Sequence, residues 1–249
     1  MTMMTVAVCG FGYWGPNHVR VLKREIGART IVIDPDPERR AAAQSLYPDI
    51  ETAPALAEAP VAPDAAIICS PPVTHEQVAG DALRAGCHVL IEKPLADTSA
   101  AGARLVALAA QHDRILMTGH TYDFHPAVAR LEALAAAGDL GEIRYLDAAR
   151  LSVGGYRNDV NVMWDMAPHD IVIMSRVMGA WPERVTAWAD DHTGFGMNDV
   201  ATMRLDFPDT SAVGYIRVSW LDPVKVRRLS VIGSQRMAVF NDAADPRTP

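Results

Sequence analysis

Three residues in this chain carry side chains suited to moving a proton. Asp165 and His169 stand four apart in Trp164-Asp165-Met166-Ala167-Pro168-His169-Asp170. At the start of a helix that spacing puts both on one face. A carboxylate beside an imidazole orients the ring and favours its proton-accepting role. The plain alternative, Asp165 as a helix N-cap and His169 as an ordinary helix residue, stays open on spacing alone. Lys93 lies in Ile91-Glu92-Lys93-Pro94, after an apolar run, where Pro94 biases it towards an extended backbone. An isolated Lys-Pro is most often mere surface.

The elements that must position these groups read from hydropathy. Short apolar runs at 5–9, 29–33, 65–69, 88–91 and 115–118 alternate with helical patterns at 16–25, 38–46, 74–85 and 99–111. Wholly apolar strands separated by helices predict a doubly wound parallel sheet covered on both faces. Gly86 reads as a helix C-terminal cap, and 53–63 as a surface connection. Past Gly119 the character changes. A helix is expected at 126–137 and another at 167–177. Longer strands with polar-apolar alternation are expected at 143–153, 183–190, 200–207, 212–220, 226–233 and 237–240. These predict an α+β unit with a mostly antiparallel open sheet. Two domains follow, 1–119 and 120–249, with a frayed tail from Asp242.

Gly10-Phe11-Gly12-Tyr13-Trp14-Gly15 follows the first strand directly, with Pro16 next. Gly-x-Gly-x-x-Gly alone is weak; after a strand and before a helix it reads as a dinucleotide turn. Gly10 makes the turn, Gly12 admits a pyrophosphate, and Gly15 packs helix on strand. Asp34, ending the second strand, is placed for the adenosine ribose hydroxyls and favours NAD over NADP, a preference that Arg39 and Arg40 could soften. Ser70-Pro71-Pro72-x-Thr74-His75 and Glu92-Lys93 also end strands at the edge where such sheets bind ligands. They complete the expected cofactor set, with Lys93 able to reach the nicotinamide end. Thr74 reads equally well as a helix N-cap. The formal net charge of −7 disfavours nucleic acid. No run is long enough to span a membrane, and nothing at the N-terminus reads as a signal segment. Cys9, Cys69 and Cys87 lack metal spacing, so no metal site and a cytoplasmic setting are expected.

Taken together, VAVCGFGYWGPN, SPPVTH, EKPL and WDMAPHDI, in this order, resemble the Gfo/Idh/MocA oxidoreductases over essentially the whole chain. The resemblance implies NAD(P) and a Rossmann domain followed by an α/β domain. Lys93, Asp165 and His169 then match the family's catalytic lysine, aspartate and histidine. The implied reaction moves hydride between nicotinamide and a secondary alcohol of a sugar. GYWGPN and DVNVMWDMAPHDI are most similar to members acting on nucleotide-linked sugars, for example at the 3-hydroxyl of a UDP-amino sugar. An inositol or aldose dehydrogenase and a non-catalytic dinucleotide-binding regulator remain alternatives. His120, Tyr122, Arg157, Asn158 and His169 are candidate substrate contacts; Arg150 and Asn161 lie on the approach to the Asp165 cluster, and Asn198 and Asp199 either line the same pocket or end a loop. Family members commonly run longer, so the second sheet is expected to be short of strands. A homo-oligomer is expected, paired through an exposed sheet face.

Overall fold

The computed structural model describes residues 3–243. By its contacts the chain divides into two compact units, Met1–Gly119 and His120–Pro249.

The first unit is a six-stranded, all-parallel sheet. Its strands are β1 (Thr5–Cys9), β2 (Arg29–Ile33), β3 (Glu51–Ala53), β4 (Ala65–Ile68), β5 (His88–Ile91) and β6 (Leu116–Thr118), in the order β3-β2-β1-β4-β5-β6. Between them run α1 (Gly15–Val21, continued as a π turn through Ile26), α2 (Pro37–Leu46), α3 (His75–Arg84) and α4 (Ser99–Gln111). Central strands are buried on both faces, as unbroken apolar runs require. Ile31, Ile68, Leu83, Ile91 and Leu105 are fully buried, each worth roughly 1.5–3 kcal/mol in removal from water. β3, which no apolar run announces, pairs with β2 and ends where the expected connection begins, and within that connection Leu56–Glu58 is a 3-10 turn. Gly86 adopts φ +88° after α3, the left-handed step of a helix end.

The second unit holds α5 (Pro126–Ala136), α6 (Val162–Met178) and a sheet of six strands. These are β7 (Ile143–Val153), β8 (Arg184–Asp190), β9 (Val200–Asp206), β10 (Val213–Ser219), β11 (Leu221–Gly233) and β12 (Met237–Asn241), in the order β12-β11-β7-β10-β9-β8. One face packs on α5 and α6 through Leu146, Ile216, Leu205, Met174 and Ile173. The sheet departs from simple antiparallel alternation at its centre, where β10 runs parallel to β7. That pairing needs a crossover, and α6, β8 and β9 form it. Helix α6 begins five residues earlier than the sequence suggests. Pro168, which reads as a first-turn residue, lies inside it, and the Asn161 side chain accepts from Trp164 N–H to cap it. Gly179 ends it at φ +66°. Of the tail expected to fray, 244–249 lie outside the described residues, and the Asp242 carboxylate accepts the Tyr122 hydroxyl.

Candidate active site

The glycine turn shows how three identical residues do three jobs. Gly10 sits at φ +102°, and a Cβ there would lie 2.8 Å from the Cys69 carbonyl carbon. A Cβ on Gly15 would lie 2.1 Å from the Gly10 carbonyl oxygen, so α1 can start against β1 only with glycine. Gly12 differs: a Cβ there would meet only the Arg39 guanidinium, at 3.8 Å. The backbone around Gly12 is therefore open on the side where a phosphate would rest. Helix α1 has no side-chain cap and no acidic residue in its first turn, which leaves its positive end to an anion. A cavity of 320 Å³ runs from Gly10 past Asp34 and Arg39 to Ser70, Pro71 and Thr74. Apolar walls from Pro54, Leu56 and Val78 suit a purine ring. The residues present thus fit a dinucleotide.

Asp34 is 2% exposed. Its carboxylate accepts from Phe11 N–H at 2.7 Å and Asp36 N–H at 3.0 Å, and the Arg39 guanidinium lies 3.8 Å away. It fixes the turn as well as facing the cavity. Arg40 donates to the Asp34 and Pro35 carbonyls instead. Tyr13 and Trp14 are exposed and meet edge to face.

Several expected contacts are corrected. The Phe11 side chain is in the core and its N–H is spent on Asp34. His75 is 1% exposed, with its ring nitrogens on the Pro94 and Ser70 carbonyls, so its polar atoms are engaged in pinning loops. Pro72 is buried. Thr74 does not cap α3 with its side chain; its hydroxyl donates to the Pro71 carbonyl and accepts from the Ser70 hydroxyl. The Glu92 carboxylate is paired with His18. Burial pushes the Cys9 thiol up to about 12, which removes it as a nucleophile.

In the second unit α6 carries Asp165 and His169. Asp165 lies within the first turn, not at the cap. Its carboxylate accepts from Trp220 Nε1–H at 3.3 Å and has the Arg157 guanidinium 3.9 Å away. The Tyr122 ring stands edge-on to His169 at 5.0 Å. Tyr122 itself is corrected from substrate contact to support: it is 8% exposed, and its hydroxyl is shared between Arg150 and Asp242. Arg150 makes a buried two-pronged pair with Asp170, 3.0 Å on each arm, and is likewise not free for a ligand. This pair ties β7 to α6 beside His169. His120 opens the 3-10 turn Thr121–Phe124.

A second cavity, of 430 Å³, is lined by Tyr156, Arg157, Asn158, Phe195, Asp199 and Trp220, among others. Arg157 and Asn158 were legible; the aromatic residues were not. Glycines gave the available signal. Tyr156 follows Gly154 and Gly155, and Phe195 sits between Gly194 and Gly196, all four at positive φ. Asp199 anchors the loop under Phe195. Burial pushes its carboxyl up, but N–H groups of His192 and Thr193 and the Thr193 hydroxyl outweigh that and hold it low.

Comparison with known proteins agrees with both halves. Residues 4–120 match the oxidoreductase family's NAD-binding Rossmann fold, and residues 128–239 match the GFO/IDH/MocA C-terminal domain. UDP-N-acetylglucosamine 3-dehydrogenase of Acidithiobacillus ferrooxidans is 34% identical over 194 residues, 75% of this chain and 58% of the relative. Inositol 2-dehydrogenase of Corynebacterium glutamicum (strain R) is 30% identical over 184 residues, 71% of this chain and 55% of the relative. The solved structure of the Acidithiobacillus enzyme superposes with a TM-score of 0.82 at 28% identity, covering 97% of this chain and 75% of that one. The chain spans under three fifths of these curated relatives' length. With the Rossmann half and the C-terminal half each matched in order, the chain belongs to the Gfo/Idh/MocA oxidoreductases.

Proposed function

We infer that this chain is an NAD(P)-dependent dehydrogenase acting on a secondary alcohol of a sugar. The observation that carries the reading is the Asp165–His169 pair on α6, in a chain whose first half keeps an open glycine turn for a dinucleotide. The bound nicotinamide supplies the hydride acceptor or donor. His169, neutral, takes the hydroxyl proton. Asp165 orients the imidazole and favours its protonated form, while Trp220 and Arg157 hold the carboxylate in place. Lys93 donates a hydrogen bond to the alcohol oxygen and stabilises developing negative charge. The Asp34 carboxylate favours NAD, because a 2′-phosphate would meet its charge.

The leading substrate class is a nucleotide-linked sugar, on the likeness to the Acidithiobacillus relative. A free polyol or aldose is the second reading, and one observation favours it. The 430 Å³ cavity holds a single guanidinium, Arg157, already paired with Asp159, and Asp199 lines the same wall. That charge balance does not favour a diphosphate. Mass spectrometry of nucleotides released from purified protein, then reduction of NAD by free polyols against UDP- and dTDP-sugars, tests both readings. A retained nucleotide with no turnover on any ring alcohol would favour a non-catalytic regulator.

The same reading assigns a homo-oligomer. Trp188, Tyr215 and Val239 share the face of the second sheet away from α6 and are solvent-exposed. Sedimentation at micromolar concentration checks it, a monomer being the contrary result. Among the described residues no helix is long and apolar enough to cross a membrane, and the cytoplasm is the compartment proposed.

A further inference from the structure

Two histidines outside the proton-transfer set grip the residues on either side of Lys93. From α1, His18 Nε2 lies 2.7 Å from Glu92 Oε1. From the first position of α3, His75 Nδ1 lies 2.9 Å from the Pro94 carbonyl oxygen, and its Nε2 lies 2.8 Å from that of Ser70. The neutral ring donates to one carbonyl, the protonated ring to both. These contacts are shielded: the His18 and Glu92 side chains are 23% and 12% exposed, and His75 is 1% exposed. Shielding strengthens such bonds. Lys93 is thus the one residue between two anchored neighbours, on a backbone that cannot drift independently of α1 and α3.

Both anchors originate in segments that border the proposed dinucleotide site. His18 is three residues past Gly15, on the helix that starts at the glycine turn. Ser70 and Thr74 line the cavity that contains Asp34. We propose that His18 and His75 are positioning residues that carry dinucleotide docking at the glycine turn to Lys93. Anchoring the residues on both sides of Lys93 fixes the point from which its side chain starts, and so limits the space its ammonium can reach. The inference rests on the reading that Lys93 serves the reaction beside the redox ring.

The chain has only three lysines, Lys23, Lys93 and Lys225, so each can be followed separately. The test is acetic anhydride labelling with and without saturating NAD, quantified by peptide mass spectrometry. In the wild type, NAD slows Lys93 acetylation about fivefold or more, the low end of ordinary site-to-site coupling, while Lys23 and Lys225 serve as internal controls. In His18→Ala, NADH still binds by fluorescence titration, but protection of Lys93 falls below about twofold. His18→Gln restores it, because an amide N–H can again donate to Glu92. A purely structural role would lower the melting temperature of His18→Ala and leave protection intact; that result overturns the inference. Lack of protection in the wild type sinks the reading of Lys93 itself, and this inference with it. His75→Ala leaves two buried carbonyls without their partner and endangers folding, so His18, at a partly exposed surface, carries the test.

Discussion

Gly12→Ala and Gly15→Ala are the same substitution three residues apart, and the structure predicts opposite outcomes. At Gly12 the new methyl meets only the tip of Arg39, at 3.8 Å, an ordinary contact with a flexible side chain. Stability of the unliganded protein should therefore change by no more than about 0.5 kcal/mol, the usual range for a benign surface change. The methyl does stand where a pyrophosphate would approach, so affinity for NADH should fall about tenfold or more, equivalent to at least ~1.4 kcal/mol. At Gly15 the methyl would lie 2.1 Å from the Gly10 carbonyl oxygen, and 3.5 Å from the Phe11 ring. Restoring van der Waals contact requires α1 to move off β1 by more than an ångström. Such overpacking costs about 1–3 kcal/mol, and it displaces His18 along with the helix. Thermal melting without ligand and NADH fluorescence titration separate the two effects. If Gly12→Ala binds NADH as the wild type does, the open backbone there is not the phosphate cradle. If Gly15→Ala melts normally, the close helix–strand contact is not limiting.

Two further outcomes follow from buried polar groups. Arg150→Met strands the Asp170 carboxylate beneath β7 and α6, and loss of one partner of a buried pair costs about 3–5 kcal/mol. Arg150→Met with Asp170→Leu should recover most of that in a urea melt, and a double variant as unstable as the single would contradict it. Acid should act in two stages. Burial of His75 outweighs its carbonyl contacts and lowers its folded value. The unfolded chain then takes up a proton that the folded chain refuses, and stability falls as pH drops through about 6.5. Asp159, Asp199 and Asp206 are held below the usual carboxylate range by Arg157, by the His192 and Thr193 donors against burial, and by Arg204. Their contribution is full above about pH 4 and is lost as pH falls through their lowered folded values. Melting temperatures that stay flat from pH 7 to pH 3 would refute both stages.

What the sequence could reveal depended on which physical signal each element carries. Strands β1, β2 and β5 were legible to the residue because continuous apolar runs have one meaning in a covered parallel sheet. β3 was not, because Glu51-Thr52-Ala53 has no apolar run and is defined only by pairing at the sheet edge. The parallel β7–β10 pair was invisible for a related reason: strand polarity is a property of the crossover, not of either strand's residues. Pro168 misplaced the start of α6, since a proline late in the second turn looks locally like a first-turn proline. At the site, Gly10, Gly12 and Gly15 were legible because backbone approach demands glycine. The reassignment of His75 and Tyr122 was not, because a buried imidazole or phenol looks the same in sequence whether it faces a ligand or a carbonyl.

In the proposed reaction Lys93 and His169 serve one alcohol oxygen in one step. The most direct measurement is a double-mutant cycle on single-turnover NADH formation, using Lys93→Met, His169→Asn and both together, with cofactor binding verified for each. Each single variant should lose about 10²-fold or more, and the double should lose far less than the product, because groups acting as a unit are not additive. Losses that multiply, or a wild-type rate in either single variant, would contradict it.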